Sequence, residues 1–133
     1  MRTMVKVVAG LNALFQGLVG LVCIIAPSTA ANLFKVEVSG VAMLALLRMF
    51  GGLLTSNGVV SGLIAQNPDR DRGLVAAYSA LLLLNVGADL VVIGTGELRF
   101  DQLAIGMLLE AVLAVLLIFY RSGTVVTRPT PAR

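Results

Sequence analysis

Six polar side chains stand inside otherwise apolar runs: Asn12 and Gln16, Arg48, Asn85 and Asp89, and Glu110. Two carboxylates, one guanidinium and three carboxamides can seat the polar head of a ligand, exchange a proton, or hold helices together. A charge at the centre of a bilayer costs roughly 2.5–3.5 kcal/mol on insertion scales, so such residues normally face the inside of a bundle and find partners. The charges do not cancel, because one arginine cannot neutralise two carboxylates and guanidinium does not deprotonate in proteins. Arg48 is therefore expected to pair with Glu110 or Asp89, and the carboxylate left over needs a proton or water. Asp89 has a second option, a pairing with Arg99 across the short loop that follows.

The runs that carry these residues must be membrane helices. Apolar residues make up 58% of the 133-residue chain and charged residues 13%. Soluble domains run closer to half and a quarter. Four segments reach the length of about 20 apolar residues that a span requires, at 4–26, 40–65, 73–94 and 101–120. Pro27 follows the first, with Ser28 as cap of a short interfacial turn through Phe34; Asn67-Pro68-Asp69 and Gly94-Thr95-Gly96 break the chain after the second and third. Asp101 stands where a helix N-cap is wanted. The expectation is an all-α, polytopic membrane protein: an antiparallel up-down bundle of four transmembrane helices over residues 1–121, followed by a disordered tail at 122–133. Arg2 and Lys6 ahead of the first run, with Ser28-Thr29-Ala30 after it, also resemble a signal peptide. The run exceeds the usual apolar region of roughly 7–15 residues and contains Asn12 and Gln16, which favours an uncleaved helix.

Four spans put both termini and the 66–72 loop on one side. That side holds Arg2, Lys6, Arg70, Arg72, Arg121, Arg128 and Arg133, and the other side holds Lys35 and Arg99. The asymmetry predicts cytoplasmic termini in a bacterial inner membrane. Measured from the opposite helix ends at 1.5 Å per residue, Arg48 lies about 12 Å deep, Gln16, Asn85 and Glu110 about 14–15 Å, and Asp89 about 8 Å. Every helix contributes to one polar layer. Small residues accompany it: Gly51, Thr55, Gly58 and Gly62 share 3–4 spacing with Arg48, and Gly58 and Gly62 form a GxxxG. Gly106, Glu110 and Ala114 share a face, as do Asn12, Gln16 and Gly20.

Composition excludes several chemistries. There is no histidine and one cysteine, Cys23, so a protein-ligated metal, a dithiol centre and an intramolecular disulfide are not expected. No basic stripe interleaved with aromatics marks a nucleic-acid surface, and the net charge is only +3. Cys23 reads as a packing residue, Tyr78 and Tyr120 as interfacial anchors, and Asn57 and Ser61 as hydrogen-bonding residues between helices or to backbone. Asp69-Arg70-Asp71-Arg72 reads as a solvated loop.

Pro27 followed by Leu33-Phe34, the run Leu47-Arg48-Met49-Phe50-Gly51-Gly52-Leu53, and a lone Glu110 in the last helix resemble the DoxX-like group of small four-helix membrane proteins. The resemblance implies an up-down bundle and implicates Arg48, Gly51, Gly52 and Glu110. It also implies the company of membrane oxidoreductases that pass electrons to quinone. Three functions follow. The first is a non-catalytic accessory subunit of a larger membrane complex, or a homo-oligomer, docked through small-residue faces. The second is a binding or redox module for a quinone, bound lipid or other apolar ligand, which requires a cavity opening sideways at the polar layer. The third is a small proton-coupled transporter. It ranks last, because the first helix has no carboxylate and the chain has no tryptophan to face a cation.

Overall fold

In the computed structural model, residues 1–37, 40–69, 72–96 and 99–125 are described. Arg70, Asp71, Glu97 and residues 126–133 lie outside them, and with them most of the tail expected after 121. Four long apolar helices, α1 (Arg2–Ile25), α3 (Val41–Gln66), α4 (Arg72–Gly94) and α5 (Phe100–Val125), are joined by a short helix α2 (Pro27–Leu33) and tight connections. All four are long and apolar enough to cross a bilayer. The chain is a multi-pass, all-α membrane protein. α5 continues past Arg121 through Val125, about one turn beyond the expected end of the last span.

The helices alternate in direction, and contacts at the two ends show it. At the end carrying the termini, Arg2 Nε lies 3.2 Å from Asp69 Oδ2, and the Tyr120 hydroxyl donates to the same carboxylate. Asp69 thus ties the start of α1 and the end of α5 to the α3–α4 loop. At the opposite end Gln102 Nε2 of α5 donates to the Phe34 carbonyl at 2.6 Å. Its Oε1 accepts the Arg99 N–H at 2.6 Å, one arm of a capping box at the start of α5. Asp101 does not serve as that cap. Its carboxylate takes the Arg99 guanidinium at 3.0 Å instead, an exposed pair, and the pairing of Arg99 with Asp89 is not formed.

The break between α1 and α2 follows from Pro27, which starts α2 at its first position, where its missing N–H removes nothing from the helix. Ser28 does not cap α2; Ala26 occupies the cap position without a side-chain bond. α2 ends in a Schellman motif. Val36 N–H donates to Ala31 O and Lys35 N–H to Asn32 O, with Lys35 in the left-handed region at φ 54°. That turn carries Phe34 and Val36 back toward the bundle.

α1 is the central helix. It packs along α3 and also against α5, while α4 packs chiefly on α5 and makes almost no direct helix contact with α3. The α1–α3 approach is the tightest in the molecule. A Cβ added at Gly20 would lie 2.7 Å from Gly51 O, and one at Gly51 would lie 2.6 Å from Gly20 O. One at Gly58 would sit 2.9 Å from Gly17 N and 3.0 Å from Ala13 O. Gly51 and Gly58 are therefore contact glycines, as their spacing predicts. Gly62 has ordinary clearance, 3.8 Å from Ala13 Cβ, Gly52 meets nothing within 4 Å, and Gly106 faces the Phe15 ring at 3.3 Å. The working seam is Gly51/Gly58 against Gly17/Gly20, not the Gly58–Gly62 GxxxG. Cys23 lies buried in it beside Gly51.

Gly58→Ala and Gly20→Ala should each lower stability by about 1–3 kcal/mol, since backbone blocks the new methyl on both sides. Gly52→Ala should be neutral or slightly stabilising. Thermal unfolding in a mild detergent, followed by circular dichroism, reads the difference; equal effects at Gly52 and Gly58 would contradict this seam.

Candidate functional site: a polar chain beneath an apolar cavity

Asn12 is fully buried where α1 meets α3 and α4. Its Nδ2 donates to Ser61 Oγ and to Tyr78 Oη, both at 3.3 Å. Those hydroxyls in turn donate to backbone carbonyls: Ser61 to Ala9 O and Tyr78 to Asn57 O, each at 2.9 Å. Because both hydroxyl protons are spent, Asn12 must present its NH2 to them and its carbonyl to Gln16. Gln16 Nε2 donates to Asn12 Oδ1 at 3.3 Å and to Glu110 Oε1 at 2.5 Å. Asn85 Nδ2 reaches the same Glu110 oxygen at 3.5 Å. One chain of hydrogen bonds thus runs from α3 through α1 to α5 and α4.

The chain ends on two acceptors. Gln16 Oε1 and Glu110 Oε2 are buried and have no hydrogen-bond partner. The residues that carry them are 1% and 6% exposed. Leaving a buried polar group unmatched costs about 1–3 kcal/mol, more for a charged one, so these atoms invite a donor.

Both residues line a partly open cavity of about 410 Å³. Its polar floor and side are Gln16, Asn57, Asn85, Asp89, Gln102 and Glu110; the rest is apolar, with Phe15 and Val19 of α1, Phe34 and Val36 after α2, and Leu103 and Met107 of α5 among the lining residues. Leu47, Phe50, Leu53 and Leu54 of α3 and Ala88 of α4 complete the wall. Phe50, Leu53 and Ala88 are also exposed on the outer surface, so the cavity opens sideways where α3 and α4 part.

Of the residues expected in the polar layer, Gln16, Asn85 and Glu110 are joined by hydrogen bonds, with Asn12 behind them. Asp89 is half-buried and shares the cavity wall. Arg48 is not brought to them. It is exposed on the outer face of α3, and among the described residues no ion pair joins it to Glu110 or Asp89. Its register is close to that of Gly51 and Thr55, but it stands one turn beyond Gly51, which already meets Cys23 and Ile24 at the end of α1, so α1 does not cover it there.

One member of the network has a role the sequence did not disclose. Tyr78 is 2% exposed, a core residue rather than an interfacial anchor, whereas Tyr120 is half-buried at the membrane end beside Asp69. The spacing Tyr78, Leu82, Asn85, Asp89 follows one helical face and would have placed the tyrosine inward. Ser61 bonds across helices, as its position suggests, and Asn57 contributes its carbonyl to Tyr78. Comparison with protein-family models, with curated proteins and with solved structures gives no match, so the geometry carries the functional argument by itself.

Asn12→Ala should cost about 1–2 kcal/mol, because it removes three interhelical or intrahelical partners at once. Arg48→Ala should stay within about 0.5 kcal/mol. Denaturation of both variants in the same detergent tests the assignment; a larger loss at Arg48 than at Asn12 would return the arginine to the interior.

Proposed function

We propose that this protein binds a membrane-soluble ligand with an apolar body and a small polar head. The body lies against the leucines and phenylalanines of the cavity wall, and the head reaches Gln16, Asn85, Asp89 and Glu110. The observation that carries this reading is the cavity itself, which has the size and the few convergent polar groups of a small-molecule site. It opens toward lipid at the depth of the polar layer, the feature that separates a binding module from a purely structural bundle. The chemistry available there is hydrogen bonding and proton exchange at a carboxyl group, so the role is recognition rather than bond-making. A quinone, a bound lipid or another apolar molecule all belong to the ligand class.

The accessory-subunit reading rested on small-residue faces free to dock other helices. Gly51 and Gly58 are occupied by α1 within the chain, so those two glycines do not dock a further helix. Transport would need a second access route, for which no observation speaks. The distribution of basic residues supports cytoplasmic termini in an inner membrane; on that reading the cavity would lie in the outer half of the bilayer.

Protein extracted gently from its native membrane should retain close to one small apolar molecule per chain, seen by native mass spectrometry. Leu54→Trp, which fills the cavity from α3, should reduce that occupancy at least ten-fold while the helical content and unfolding temperature stay near those of the parent. Equal occupancy in both proteins would refute the site.

A further inference from the structure

We propose that the head recognised in this cavity is an alkylammonium: the ligand is a lipophilic amine whose N–H groups donate to Glu110 Oε2 and Gln16 Oε1. This rests on the binding reading above and narrows it to one chemical class. Three independent features of the wall agree.

The first is the sense of the hydrogen bonds. The amide protons of Gln16 are committed to Asn12 and Glu110, and Gln102 Nε2 is committed to the carbonyls of Phe34 and Lys35. The fully buried atoms left uncommitted are a pair of acceptors, while the spare amide protons of Asn57 and Asn85 stand on the half-buried wall. Against ionised Glu110 a carbonyl head would bring lone pairs against lone pairs at these two atoms; a donor completes the chain. An ammonium supplies up to three donors from one atom.

The second is charge. Glu110 and Asp89 both line the cavity, and among the described residues no lysine or arginine does. The arginine of this region, Arg48, stands on the outer face of α3, and Lys35 is exposed beyond α2. A carboxylate facing a low-dielectric cavity is stabilised by a cation beside it far more than by a neutral head. The third is the ring content. Phe15, Phe34 and Phe50 line the same space from three segments of chain, and aromatic faces attract cations within about 6 Å.

Depth distinguishes a small amine from an aminolipid. Glu110 and Gln16 lie about 14–15 Å from the nearer helix ends, below the level of phospholipid headgroups. An ammonium that reaches them has to be carried in on a slim apolar body.

The test uses the full chain in phosphatidylcholine nanodiscs at pH 7.5, titrated with probes that share a decyl chain: decylamine, decyltrimethylammonium, decanol and a decyl-substituted benzoquinone. Binding is read as the shift in unfolding temperature at matched membrane concentration, with Leu54→Trp in identical discs as the reference for partitioning. Decylamine should bind at least ten-fold tighter than decanol and the benzoquinone, the ratio expected for a charge-assisted hydrogen bond. Decyltrimethylammonium, a cation without N–H donors, should fall between them. Glu110→Gln should remove the advantage of decylamine over decanol. Tighter binding of the benzoquinone or of decanol overturns the amine assignment while leaving the cavity a binding site. No probe distinguishing the parent from Leu54→Trp overturns both. The comparison among probes on the unaltered protein decides the matter even if Glu110→Gln does not fold.

Discussion

Hydrocarbon cannot solvate a hydrogen-bonding group, and the arrangement of this bundle follows from where its few polar side chains are satisfied. Asn12 is the pivot. It is the one side chain bonded to α3, to α4 and, within α1, to Gln16, which carries the connection on to α5. α1 must therefore lie among the other three helices, and the glycines on its flank let it do so. Gly20 meets Gly51, and Gly58 meets the α1 backbone at Ala13 and Gly17, so closely that no side chain fits at those three glycines. The polar chain specifies which helices meet, and the glycine seam specifies how near they come. Neither would hold alone, since hydrogen bonds between membrane helices average well under about 1 kcal/mol.

The two ends of the bundle behave differently as a result. Val5, Ala9, Ile64, Val75, Tyr78, Leu82, Leu113, Ala114 and Leu117 form one buried cluster, all toward the end that carries the termini. There Asp69 gathers Arg2 and Tyr120. Past the level of Glu110 the helices are no longer drawn together by a shared core. α3 leans on α1, α4 leans on α5, and the space between the two pairs is the cavity. Gln102 keeps that half from opening further by tying α5 to the turn after α2.

The spans, their alternation and the existence of a polar layer were legible from hydropathy, because lipid imposes its demands on every residue of a helix in turn. Which polar residues join the layer was less so. Asn12, Gln16, Asn85 and Glu110 announce themselves as amides and a carboxylate amid leucines and valines. Tyr78 does not, since a tyrosine near a membrane surface ordinarily belongs there; only its register with Leu82, Asn85 and Asp89 gives it away. Arg48 misled in the opposite direction. It shares the register of Thr55 and Gly51, but it lies one turn past Gly51, where α1 has already reached its end. The spacing of a stripe says which face a residue shares and not whether the partner helix still runs alongside it. The cavity was not legible at all, because it arises from α3 and α4 parting beyond the Tyr78–Asn57 contact, and such a parting has no sequence signature.

Arg48 on the outer face changes what the site can be. Had it turned inward, the guanidinium would have neutralised Glu110 or Asp89, and the layer would have been a closed ion-pair network suited to holding helices together. Turned outward, its long side chain can carry the guanidinium toward the headgroups while its stem stays in hydrocarbon, the usual behaviour of arginine near a helix end. Among the described residues the cavity is then lined by two carboxylates and by amides, with no fixed cation. A bundle whose stability comes from the other half can tolerate that imbalance, and an imbalance of one sign, enclosed by phenylalanine and leucine, is what selects a ligand of the opposite sign.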